Sequence, residues 1–239
     1  MLITEAMMAH YREQGYLIFE GLFSAEETDA LREVVDRMDE ERERELQVLG
    51  QQGISIPNQI NFNALLNKKS ETVRSFAKQE RFVKLTTALL GPNTKLYWDQ
   101  SVYKRPEAKR DFPWHQDTGY VPTMPEEYVT CWLALEDATI ENGCVWVLPG
   151  THKLGLVEHK ETDVGKQCYF GDDPGIPVEL TKGSMVAFNS LLFHRSTPNL
   201  SATTRKGMIL QYSTSDTYNP VTGVVFDNGP EIARDGVAV

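Results

Sequence analysis

KLYWDQSVY, Lys95–Tyr103, marks the point where the texture of this chain changes. Aromatic and β-branched residues crowd into a short run, and four more such runs follow at Tyr128–Leu135, Val145–Leu148, Ser184–Phe188 and Lys206–Tyr212. Clusters of Gly, Pro, Asn and Asp separate them. Such side chains suit a pleated, half-buried surface. Short strands at regular intervals with turn signals between them predict a β-sandwich or barrel.

The residues before this stretch read differently. Tyr16–Phe19 is short, apolar and partly aromatic, which predicts a strand. Ser24 followed by Glu27 is a capping-box signature, and Leu31, Val34, Val35 and Met38 then repeat at helical spacing. The charged run Asp39–Glu45 reads as a solvated helix end with mixed-sign pairs. Gly50–Gly53 reads as a loop, and a second helical stretch from Ser70 to Leu90 stops at Gly91-Pro92. The expected organisation is one domain of 239 residues: a mainly helical buttress over 1–94, a β-core over 95–215 and a C-terminal tail over 216–239. With 41% hydrophobic and 24% charged residues the chain has enough apolar material for one full core.

Charge and cysteine usage narrow the setting. A net charge of −10 disfavours nucleic acid and anionic membrane surfaces as partners. Cys131, Cys144 and Cys168 are odd in number and lack a Cys-x-x-Cys spacing, so they read as small core residues in a reducing cytoplasm. The N-terminus has no basic region followed by an apolar run, and no stretch approaches the roughly 18 apolar residues of a membrane helix. Oligomeric state leaves no mark on the sequence.

Chemistry enters with FPWHQD, Phe112–Asp117. His115 and Asp117 stand two apart, and on an extended strand such residues point to one side. His194 follows far downstream in LLFH, Leu191–His194. Two imidazoles and a carboxylate on one face of an ion leave further positions open, which is the ligand set of non-heme Fe(II) enzymes that activate oxygen. Arg205 lies a little beyond His194, where a guanidinium could grip the far carboxylate of a dicarboxylate co-substrate. The remaining histidines carry less: His10 falls in an amphipathic stretch, His152 in a turn after Pro149-Gly150-Thr151, and His159 in a charged loop.

Several segments in order then carry a resemblance: Gly91-Pro92-Asn93, Lys104-Arg105-Pro106, Trp114–Asp117, Trp132–Leu135, Asn142-Gly143-Cys144 with Val147–Lys153, and His194-Arg195-Ser196 with Asn199 and Arg205. Together they resemble the phytanoyl-CoA dioxygenase family of Fe(II)- and 2-oxoglutarate-dependent oxygenases, most specifically from Gly91 to Ser215. The resemblance implies a double-stranded β-helix, a jelly-roll of cupin-like form, buttressed by the N-terminal helices. It implies His115, Asp117 and His194 as iron ligands, and Arg205 with Ser196 beside it at the distal carboxylate of 2-oxoglutarate. Trp132 and Gln100 match positions that touch this co-substrate, and Gln59 or Asn61 falls near another. O2 is implied as the oxidant, with ascorbate helpful in vitro. Related halogenases bear a small residue where Asp117 stands, so Asp117 argues for hydroxylation or desaturation.

The expected function is therefore oxidation of a small molecule with release of succinate and CO2. A non-oxidative metal-dependent isomerase and a binding or sensor protein are the alternatives on the same scaffold. Tyr120, Tyr103, Lys104, Phe62 and Arg195 are candidate pocket neighbours by position. Lys104, Arg105, Lys109 and Arg110 are offset by Glu107, Asp111, Glu126 and Glu127, and with the net charge of −10 this argues against an acyl-CoA substrate.

Overall fold

The computed structural model describes residues 2–239. Helix α1 (Glu5–Gln14) opens the chain, capped by the Thr4 side chain and closed by Gly15 in the left-handed region. Strand β1 (Tyr16–Phe19) follows, then α2 (Ala25–Leu49). The capping box at the start of α2 forms as the sequence predicts: Ser24 Oγ accepts from the Glu27 amide at 3.2 Å, and Glu27 accepts from the Ser24 amide at 2.9 Å. Ser24→Ala should cost about 1 kcal/mol. That corresponds to a fall of roughly 2–4 °C in Tm for a chain of this size. An unchanged melting temperature would mean that tertiary packing alone holds this helix start.

The charged run in α2 departs from its sequence reading. Asp39 and Glu43 are buried, not solvated. Asp39 receives Arg105 Nη2 at 2.7 Å and Asn61 Nδ2 at 2.6 Å, and Glu43 accepts the Asn58 amide at 2.8 Å. The helix thus uses one face of its charged end to hold strand β2 (Ile60–Ala64) in place. The stretch read as one helix over 70–90 is two, α3 (Glu71–Ala77) and α4 (Glu80–Leu90), broken where Gln79 turns extended. Packing explains the break. Phe76 and Phe82 both lie against Phe23, with ring centroids 4.8 and 5.7 Å away. On an unbroken helix, residues six apart would sit about 240° around the axis and could not share that cluster.

The β-core comprises β3 (Thr94–Lys104), β4 (Phe112–His115), β5 (Val129–Ala134), β6 (Val145–Val147), the hairpin β7 (Lys160–Thr162) and β8 (Gly165–Gln167), β9 (Ile176–Val178), β10 (Met185–Asn189), β11 (His194–Ser196), β12 (Arg205–Thr214), β13 (Glu231–Arg234) and β14 (Val237–Ala238). The larger sheet runs β1-β10-β5-β12-β3-β13-β14, with β2 also on β3, and the smaller runs β4-β11-β6-β9. All pairings are antiparallel. This is the jelly-roll that the family resemblance implies, within the sandwich-or-barrel class that the strand pattern predicts.

Alternation decides what each face meets. Cys131, Leu133, Met208, Leu210 and Tyr212 point outward into the core shared with the helices, where Tyr212 stacks on Phe82. Trp132, Ala134, Val186 and Phe188 point inward to Phe112, Val145 and Val147 of the smaller sheet. The inner faces enclose the cavity described next.

Candidate functional site

A cavity of about 240 Å³ lies between the sheets. Its walls are largely apolar and aromatic, including Phe62, Tyr97, Trp98, Tyr120 and Tyr128. The seven residues singled out in the sequence, His115, Asp117, His194, Arg205, Ser196, Trp132 and Gln100, all line it.

Strand pairing brings the two histidines together. His115 ends β4 and His194 begins β11, and the antiparallel register sets them directly opposite each other. Their ring centroids lie 4.0 Å apart. Each Nδ1 is tied to a backbone carbonyl two residues back, Pro113 at 2.8 Å and Leu192 at 3.0 Å. This fixes the ring orientation and leaves both Nε2 atoms facing inward. Asp117 joins them by a route the sequence did not predict. It is not on the strand with His115: β4 stops, Gln116 is extended, and Asp117 starts a short 3₁₀ turn to Gly119. Its Oδ1 lies 3.8 Å from His115 Nε2 and 3.5 Å from His194 Nε2. The three donor atoms fall within 4.8 Å of one another. They could hold one divalent ion from one side, as the donor types suit.

Electrostatics agree with that use. Burial, reinforced by neighbouring His194, pushes the His115 imidazole down to about 3, so it is neutral and able to ligate near pH 7. For Asp117, burial acts upward but the two imidazoles and the Thr130 hydroxyl outweigh it, and the carboxyl is held at about 2. A negative Asp117 beside a neutral His115 attracts a cation.

Gln116, between the two ligand-type residues, was not anticipated. It is fully buried. Its Nε2 donates to Gly155 and Leu191 carbonyls at 2.8 Å each, and its Oε1 accepts the Val157 amide at 2.9 Å. It ties the Asp117 turn to the segment before His194. His159 is also more than a loop residue: its Nε2 accepts the Gln116 amide at 3.0 Å. His152, expected in an open turn, is buried and contacts the Arg12 carbonyl at 3.2 Å, because α1 folds back over that turn. Polar residues between apolar runs give no sequence signal for such bracing.

Arg205 sits at the far end of the cavity. It is buried with no carboxylate within ion-pair distance among the described residues, and its Nη1 donates to the Gly143 carbonyl at 2.7 Å. Gly143 is in the left-handed region at φ 82°, and any β-carbon there would strike the Thr197 carbonyl. Glycine is thus required for the backbone to approach. The guanidinium lies 5.3 Å from the Trp132 ring. Burial lowers Arg205 to about 10, which still leaves it charged at neutral pH. Lys104, its cross-strand partner, is buried too and donates to Ser196 Oγ at 3.0 Å and to the Thr197 carbonyl. Burial and Arg205 push the Lys104 ammonium well down. Arg205, a buried cation in no ion pair among the described residues, favours an anionic ligand at this end.

The other candidates divide. Tyr120, Phe62 and Arg195 line the cavity. Tyr103 instead faces α2, its hydroxyl donating to Asp36 at 2.6 Å, because odd positions of β3 near its end turn outward. Lys104 reaches Ser196 from behind the cavity wall. Asn61 is turned to Asp39, and Gln59 holds the Arg105 amide through its carbonyl, so neither lines the cavity.

The family model for phytanoyl-CoA dioxygenase matches residues 11–207. A phytanoyl-CoA dioxygenase of Arabidopsis thaliana is 26% identical, the match covering 90% of each chain. Among solved structures, the epimerase SnoN in complex with Fe3+, alpha-ketoglutarate and a nogalamycin compound superposes with a TM-score of 0.72 at 22% identity, covering 98% of this chain and 94% of that one. EvdO2 from Micromonospora carbonacea var. aurantiaca, complexed with 2-oxoglutarate, gives 0.74 at 20% identity over 92% and 94%. The two structures share the fold, and with the family match running from α1 to the start of β12, this chain belongs to the phytanoyl-CoA dioxygenase family.

Proposed function

We propose that this protein is an Fe(II)- and 2-oxoglutarate-dependent dioxygenase that hydroxylates or desaturates a small molecule. The observation that carries the reading is one cavity with a two-histidine, one-carboxylate cluster and, at its far end, a buried arginine lacking an acidic partner among the described residues. A metal site alone suits many chemistries. The added cation is what a dicarboxylate co-substrate needs.

In this reading His115, Asp117 and His194 hold the metal. Arg205 grips the distal carboxylate of 2-oxoglutarate, and Ser196 lies beside it, its hydroxyl held by Lys104. Trp132 forms the wall against which the Arg205 guanidinium rests, and Gln100 lines the same chamber. When bound, Fe(II) with 2-oxoglutarate and O2 supplies oxidation of a substrate C–H bond, releasing succinate and CO2. The apolar wall of Phe62, Trp98, Tyr120 and Val121 excludes water and holds the substrate near the three ligands. Isomerisation is the second reading, since SnoN is an epimerase. The product's mass separates the two: oxidation adds an oxygen atom or removes two hydrogens, whereas isomerisation leaves it unchanged.

The substrate is read as compact, weakly charged and not an acyl-CoA. Support comes from how the nearby cations are engaged. Arg105 pairs with Asp39, Lys109 donates to the Asn199 carbonyl, and Arg195 lies between Trp114 and Trp146 while reaching Asp111 at 3.4 Å. No cluster of free cations remains there among the described residues for a polyphosphate. Incubation with Fe(II), ascorbate and 2-oxoglutarate should give succinate coupled to oxidation of a neutral metabolite, and only background succinate with fatty acyl-CoAs. Coupled hydroxylation of an acyl-CoA above that background would overturn this substrate class. No helix among the described residues is long and apolar enough to cross a membrane. We place the protein in the cytoplasm, in keeping with three free thiols.

A further inference from the structure

The two oxygens of Asp117 have different surroundings. Oδ1 faces the Nε2 atoms of His194 and His115. Oδ2 points to the larger sheet, where it accepts the Thr130 hydroxyl at 2.5 Å and Gln211 Nε2 at 3.0 Å. Thr130 on β5 and Gln211 on β12 are cross-strand partners. Gln211 Nε2 also donates to Thr130 Oγ1 at 3.2 Å. Thr130 Oγ1 and Asp117 Oδ2 lie on the same side of the Gln211 amide nitrogen, so one amide hydrogen is shared between them while the hydroxyl hydrogen serves Oδ2. Both residues are buried, on adjacent strands in the middle of the larger sheet.

A carboxylate can bind a metal through one oxygen or both. An oxygen already saturated by two donors is poorly placed to take a second coordination position, and such partners behind a ligand tune its metal. We propose that Thr130 and Gln211 are positioning residues that restrict Asp117 to coordination through Oδ1, so that the positions required by 2-oxoglutarate and oxygen stay open. The inference rests on reading the His115, Asp117 and His194 cluster as the metal centre. It assigns to two strand residues a role that no feature of the bare sequence marks.

Co(II) provides the probe, because its visible absorption reports coordination number without turnover. Thr130→Val and Gln211→Met should bind Co(II) at least as tightly as the unaltered protein, since a freed Oδ2 adds a bond. Affinity of the Co(II) form for 2-oxoglutarate should fall by about 10- to 100-fold, and the Co(II) spectrum before 2-oxoglutarate addition should change. Thr130→Ser, which keeps the hydroxyl, should behave as the unaltered protein. If Thr130→Val does not fold, judged by circular dichroism, Gln211→Met carries the same comparison. Variants that bind Co(II) and 2-oxoglutarate as the parent does would overturn the inference. So would parallel loss of both ligands, which would mean that the pair merely supports the loop. A parent protein that takes up no Co(II) would instead remove the metal-centre reading itself.

Discussion

His194→Ala should yield a folded protein without turnover. Among the described residues, His115, Asp117 and His194 bring three donor atoms together, and the loss of one imidazole removes both a bond and the geometry that the other two define. The same outcome is expected for His115→Ala and Asp117→Ala. Folding should survive because the core is carried elsewhere, by the helix-facing cluster around Phe82, Leu133 and Tyr212 and the inter-sheet cluster around Trp132 and Phe188. The measurement is succinate release beside a thermal melt. A His194→Ala protein that retains Fe(II) and parental activity would show that the distal ligand lies elsewhere.

Arg205→Leu should leave metal uptake intact and raise the 2-oxoglutarate requirement sharply. Losing one partner of a buried charge pair costs about 2–5 kcal/mol. In co-substrate affinity that is roughly 30- to 4000-fold. The structure makes the test selective. Arg205 lies on β12, on the other sheet from His115 and His194, and contacts the Gly143 carbonyl rather than any ligand-type residue. An unchanged Michaelis constant for 2-oxoglutarate would transfer the role to Lys104, the cation across the strand pair, or to Arg195.

Much of the molecule was legible before any coordinates. Aromatic and β-branched runs such as Lys95–Tyr103, separated by turn residues, mark a β-core, and Ser24 with Glu27 marks a helix start through local hydrogen bonds alone. His115, Asp117, His194 and Arg205 stood out because metal and carboxylate binding demand particular side chains in a particular order. Such signals are carried by residue type and short spacing, so the sequence by itself determined the fold class and the ligand-type residues. It could not show which residues meet across strands. The pairing of His115 with His194, of Thr130 with Gln211 and of Lys104 with Arg205 depends on register between segments far apart in the chain. For the same reason Asp39 and Glu43 passed for solvated charges until Arg105, Asn61 and Asn58 arrived beside them. Phe76 and Phe82 likewise broke a helix that local propensity would have continued, because one buried phenylalanine ring drew both to itself. Burial and partner choice are properties of the packed chain, and there the tertiary structure alone decided.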